Sequence, residues 1–144
     1  MNYSKTEIKD LAKAWLVISL AFAIVIAGFN SKLILIFPIM LLTVGVGFLL
    51  HELAHKYVAQ KFGYKAEFRA FNQMLIFSLI TSFFGFVFAA PGGVFHGRIA
   101  SKQKEGLIAI AGPLVNVVLS LIFLSLYFIF PSLKFLFFYG AYVN

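Results

Sequence analysis

The stretch LILIFPIMLLTVGVGFLLHELAH, residues 33–55, decides how this chain folds and what chemistry it can carry. From Leu33 to Leu50 it holds no charged residue, and a run of that length and apolarity matches one bilayer crossing. It then passes without a break into His51-Glu52-Leu53-Ala54-His55, three ionisable side chains within one helical turn. Inside a membrane helix such groups are costly unless they bind something. On a helix, His51 and His55 lie about 40° apart around the axis and about 6 Å apart along it. Both imidazoles can therefore converge on one tetrahedral Zn2+. Glu52 occupies the adjoining face, within reach of a water activated by the metal without being a ligand. This is the H-E-x-x-H arrangement of zinc-dependent peptidases. The plainer alternative, two capped core or surface histidines one turn apart, suits a soluble helix better than this setting. His51 and His55 are read as metal ligands and Glu52 as the catalytic base.

The rest of the composition agrees with a membrane setting. Hydrophobic residues make up 62% of the 144 and charged residues 12%, against about 25% charged in soluble domains. The length allows one domain, residues 1–144. With no cysteine, disulfides and thiolate metal sites are excluded. The net charge of +7 falls in short clusters between apolar runs, which is a topology signal and not a nucleic-acid face. The expected fold is an all-α polytopic membrane protein with three full crossings, a shorter fourth apolar segment and the start of a further helix.

The first crossing is expected over Ala14–Phe29, with Trp15 at the interface and Met1–Lys13 as an amphiphilic lead-in. Asn30, Ser31 and Lys32 make a turn. The second crossing starts at Leu33 and continues as helix to Phe62, where Gly63 is a stop signal. Pro38 is a candidate kink, and Gly45 and Gly47 are close-packing positions. Residues 56–73 read as a polar connection. Met74–Ala90 is apolar again, Leu107–Phe130 is the third crossing, and Pro131 ends it before a new apolar segment at Leu133–Val143. Placing Lys5, Lys9 and Lys13 on the cytoplasmic side puts the zinc motif near that side. If Met74–Ala90 crossed fully, Arg98, Lys102 and Lys104 would fall on the wrong side. A re-entrant hairpin or short broken helix turning near Thr81, Ser82 and Gly85 avoids this and is preferred to a true crossing.

Two further stretches extend the pattern. Ala111-Gly112-Pro113-Leu114-Val115-Asn116 lies near the start of the third crossing, and Ala90-Pro91-Gly92-Gly93-Val94 lies between the two helices. With H-E-x-x-H in a membrane helix, they resemble the site-2 protease family of intramembrane zinc metalloproteases, whose A-G-P-x-x-N and Gly-rich motifs they match across roughly residues 33–130. Asn116 sits about 14 Å into its helix at 1.5 Å per residue, deep enough to reach the zinc. The resemblance implies that Asn116 binds substrate or stabilises an oxyanion; an interhelical hydrogen bond is the ordinary alternative. Gly92 and Gly93 are placed beside it as substrate-binding positions, in an edge strand over 91–97 that could capture an unwound substrate by strand addition; an ordinary turn is the alternative. His96 is expected in a loop or at the interface and not as a ligand. The implied substrate is a transmembrane segment of another protein, cut within the lipid bilayer of the cell membrane.

The sequence departs from the family at one point. The third ligand is an Asp in an Asp-Gly motif on a later helix, and the sole Asp here is Asp10, on the wrong element. Glu67 and Glu105 read as loop residues. The expectation is a protease core incomplete at its C-terminus, holding zinc weakly through two histidines and inactive as it stands. Two other classes compete: a silent scaffold of the same fold, and a metal transporter, which should carry more acids or histidines along its helices. Three histidines are too few for a di-iron desaturase.

Overall fold

The computed structural model describes residues 2–97 and 101–144. Arg98, used above as a topology charge, lies outside them. Helix α1 runs over Lys5–Ala27, so the lead-in forms the first turns of the crossing itself. Ser4 is its N-cap, its hydroxyl accepting the Glu7 N–H at 3.1 Å, as the Ser-x-x-Glu spacing favours. Gly28 ends it at φ +70°, a left-handed conformation that glycine adopts without a Cβ penalty.

The second rod extends over Leu33–Lys61 as α2 (Leu33–Met40), a π-helical segment (Leu41–Gly45) and α3 (Val46–Lys61). Pro38 lacks an N–H, and the wider π turn follows directly after it, a common way for a helix to absorb such a break. The Trp15 indole donates to Leu41 O in that segment at 3.1 Å. Its ring lies where a Cβ on Gly45 would sit, so Trp15 serves an interhelical contact. Gly47 is likewise covered, by the Asn144 side chain. Gly63, at φ +83°, follows the end of α3 as its composition leads one to expect.

The helical expectation holds, and one small sheet stands beside the helices. Strands β1 (Ala66–Ala70) and β2 (Gly92–His96) form a two-stranded antiparallel sheet. β1 falls inside the stretch read as a polar connection. Its signal is short: Phe68 turns inward, 1% exposed, while Glu67 and Arg69 pair with each other at 2.8 Å. Glu67 and His96 are strand residues, not loop residues.

Between the strands lies α4, Asn72–Ser82. Its 11 residues reach about 16 Å, short of a bilayer core of about 30 Å. The register Ala70↔Gly92 brings the chain back to the level it left. Lys13 meets Asn72 at 2.6 Å at one end of α4, and the Phe29 and Phe83 rings meet at the other, so the helix lies along α1. Gly85 turns the chain at φ +87°, and the Thr81 and Ser78 hydroxyls bond the returning backbone at Phe88. The segment thus leaves the sheet after β1 and returns to it at β2.

Helix α5 (Lys102–Ile129) packs mainly on α3, and α6 (Lys134–Val143) returns along α5. A core of Leu11, Ala14 and Ile18 from α1 with Met40, Val44, Phe68 and Leu75 joins the first two rods to the sheet and α4. Leu114, Val118, Leu121 and Phe128 stand exposed along α5, the apolar face a membrane helix offers to lipid. Three helices, Lys5–Ala27, Leu33–Lys61 and Lys102–Ile129, are long and apolar enough to cross a membrane.

Candidate metal centre and active site

α3 carries His51, Glu52 and His55 at the level of the sheet, where α5 crosses it. The two histidine Nε2 atoms stand 3.0 Å apart. His55 Nδ1 lies 2.6 Å from Ile108 O, and because a carbonyl only accepts, that nitrogen carries the proton. Nε2 of His55 is then left with its lone pair facing His51, the arrangement in which an outer partner fixes the tautomer of a ligating imidazole.

The imidazoles can meet only because of what α5 omits. A Cβ on Gly112 would overlap His55 Nε2 and stand 2.6 Å from His51 Nε2. The bare backbone at Gly112 thus forms one wall of the centre. One turn further along α5, Asn116 stands close enough to act on the His51 ring. Yet His51 Nδ1 and Asn116 Oδ1 are both buried without a hydrogen bond of good geometry among the described residues. Asn116 therefore reaches the depth of the histidines, as the helix arithmetic predicts, and keeps a carbonyl oxygen in hand.

Glu52 is buried, 9% exposed, and with His55 it lines a cleft of about 370 Å3 whose other walls include Gly92, Gly93, Val94, His96, Glu105 and Ile108. Gly92 is there for space, since a Cβ would run into Arg69 O and the Phe68 ring; Gly93 has open room. Glu105 belongs to the first turn of α5 and not to a loop. Its place at the cleft, like that of His96, depends on tertiary contacts with no sequence signal.

The donor chemistry fits zinc in part. Two imidazole nitrogens converge on a backbone cradle that no side chain fills, and imidazole is an ordinary zinc ligand. Among the described residues no third His, Cys, Asp or Glu joins them.

Sequence reading missed one cluster entirely. Lys56, next to His55, is 1% exposed and pairs with Glu7 of α1 at 2.6 Å. It also donates to Asn2 O at 2.6 Å and lies over the Tyr3 ring. The Ser4-x-x-Glu7 cap pattern was visible, but the side chain of Glu7 reaches across to α3 instead of back along its own helix.

A helical membrane protein whose crossing carries paired histidines and a carboxylate beside a sheet edge has the architecture of a membrane metalloprotease. The chain belongs to peptidase family M50, whose profile matches residues 39–140. A protein of Methanocaldococcus jannaschii named "Putative zinc metalloprotease MJ0611" is 39% identical over 143 residues, covering 98% of this chain and 72% of that relative. No solved structure matches. The family makes the protein a protease of the metal-dependent kind.

Proposed function

We propose that the protein is a zinc-dependent intramembrane endopeptidase that hydrolyses peptide bonds within transmembrane segments of other membrane proteins. The observation that carries this is the 3.0 Å approach of the His51 and His55 Nε2 atoms on a helix apolar enough to cross a membrane, with Glu52 lining a cleft beside His55. His51 and His55 would hold the ion. Zinc there supplies a Lewis acid that acidifies water and polarises a carbonyl. Glu52 takes the proton of the attacking water and returns it to the leaving amine, the work of a general base and then a general acid. Asn116, beside His51, offers an amide that can donate to the developing oxyanion.

A helical substrate hides its carbonyls in its own hydrogen bonds, so it must unwind before attack. Strand β2, with Gly92 and Gly93 in the cleft wall, offers an edge on which the unwound segment can lie by strand addition. The basic residues that begin α1 favour a cytoplasmic position for this end of the molecule, with water reaching the site from there.

Glu52→Gln tests the reading. Zinc content of the variant should equal that of the parent, and cleavage of a single-span substrate in proteoliposomes should fall about 10²–10⁴-fold, the usual contribution of such a group. Cleavage at the parental rate would remove Glu52 from the mechanism. The rival reading, a silent scaffold of the same fold, expects no cleavage by the zinc-loaded parent.

A further inference from the structure

In an antiparallel pair, alternate residues turn their N–H and C=O groups toward the partner strand or away from it. Phe71 donates to Pro91 O at 2.9 Å, and the register continues through Arg69↔Gly93 and Glu67↔Phe95. Ala66, Phe68 and Ala70 therefore face away from β2, and this outer edge of β1 is occupied. Phe68 N–H donates to Glu7 Oε1 at 3.0 Å, Ala70 N–H donates to Asp10 Oδ2 at 3.2 Å, and Gln60 Nε2 donates to Ala66 O at 3.2 Å. Glu7 and Asp10, three apart on one face of α1, thus bond alternate amides of the strand.

The same alternation turns Gly92, Val94 and His96 outward on the opposite edge. Among the described residues no hydrogen bond reaches the outward backbone groups of Gly92 or Val94, and both residues line the cleft with Glu52 and His55. One edge of the sheet is closed and the other opens on the candidate catalytic groups.

Glu7 also joins the sheet to the helix of the metal motif. Its Oε2 accepts from Lys56 at 2.6 Å, both side chains being 1% exposed, and Lys56 directly follows His55. A single carboxylate therefore spans β1 and α3, through charge-assisted bonds at both oxygens, which are roughly twice as strong as neutral ones. Asp10 ties the end of β1 that faces Gly92 to α1 alone, its other oxygen accepting from Lys13 at 3.0 Å.

We propose that Glu7 and Asp10 are positioning residues: both fix the sheet against α1 and Glu7 also ties it to α3, so that the open edge of β2 presents an extended substrate to Glu52 in a single register and thereby sets which bond is cut. This rests on the peptidase reading above. A strand that slips by one or two residues moves about 3 to 7 Å, and a one-residue slip also exchanges its faces. Loosening the anchors should therefore move the cut.

The test maps product ends by mass spectrometry for the zinc-loaded protein acting on a single-span substrate in proteoliposomes, with thermal melting of each variant alongside. The parent should cut at one principal bond. Asp10→Asn keeps an oxygen for the Ala70 N–H and should keep that bond. Asp10→Ala removes the anchor and should spread cleavage to bonds one or two residues away. Glu7→Gln turns one of the two bonded oxygens into a donor and should spread it further; if it does not fold, the two Asp10 variants decide the matter. A purely structural role would lower the amount of folded enzyme and leave the product ends unchanged. If Asp10→Ala and Glu7→Gln both cut only the parental bond, positioning by these carboxylates is overturned. A zinc-loaded parent that cuts nothing overturns the peptidase reading, and this proposal with it.

Discussion

Helix α3 is held on its two sides by opposite means. Toward α5 the contact is made by leaving atoms out: Gly112 lets two imidazoles converge against bare backbone. Toward α1 and β1 it is made by adding charge: Glu7 and Lys56 form a buried pair that also secures the strand. The first side must remain able to take in an ion and a substrate, so it is kept empty. The second has only to stay still, and a hydrogen-bonded ion pair resists sliding in a way that apolar contact does not. Removing one partner of such a pair is costly, although an apolar replacement of both can be neutral.

The comparison breaks most sharply at Gly112. Gly112→Ala places a methyl on both Nε2 atoms and should weaken zinc binding by at least the 10–100-fold typical of disturbed ligand support, with a matching loss of cleavage. Metal analysis after dialysis at graded zinc concentrations would check it; full zinc occupancy at the parental affinity would mean that the cradle is dispensable. On the charged side, Lys56→Met strands the Glu7 carboxylate and should cost about 3–5 kcal/mol, while adding Glu7→Leu should recover only part of the loss, because the Phe68 N–H then lacks its acceptor. Denaturation in detergent would measure both, and equal stability of the single and double variants would sink the coupling. The mildest test separates two neighbouring glycines. Gly92→Ala collides with Arg69 O and the Phe68 ring and should disturb the sheet, whereas Gly93→Ala meets open space and should change stability by no more than about 0.5 kcal/mol. A Gly92→Ala variant as stable as Gly93→Ala would show that the strands are free to separate at that point.

Much of this was legible before any coordinate. Apolar runs of membrane length mark the crossings because hydrocarbon demands them, and the four-residue spacing of His51 and His55 places both on one helix face wherever the helix lies. Gly63 and Gly85 punctuate the chain as their composition suggests. What local pattern could not supply was partnership across the chain. β1 is five residues long and is held in place by carboxylates about sixty positions upstream. Lys56 reads as a solvated loop-side charge until Glu7 is set against it, and nothing local marks Gly112 as the wall on which the imidazoles meet. The residue types, their spacing and the crossings belong to the sequence, because they depend on local geometry and on the solvent the chain must meet. The convergence at the metal centre and the closed and open edges of the sheet belong to the fold, because they depend on contacts between residues that only packing brings together.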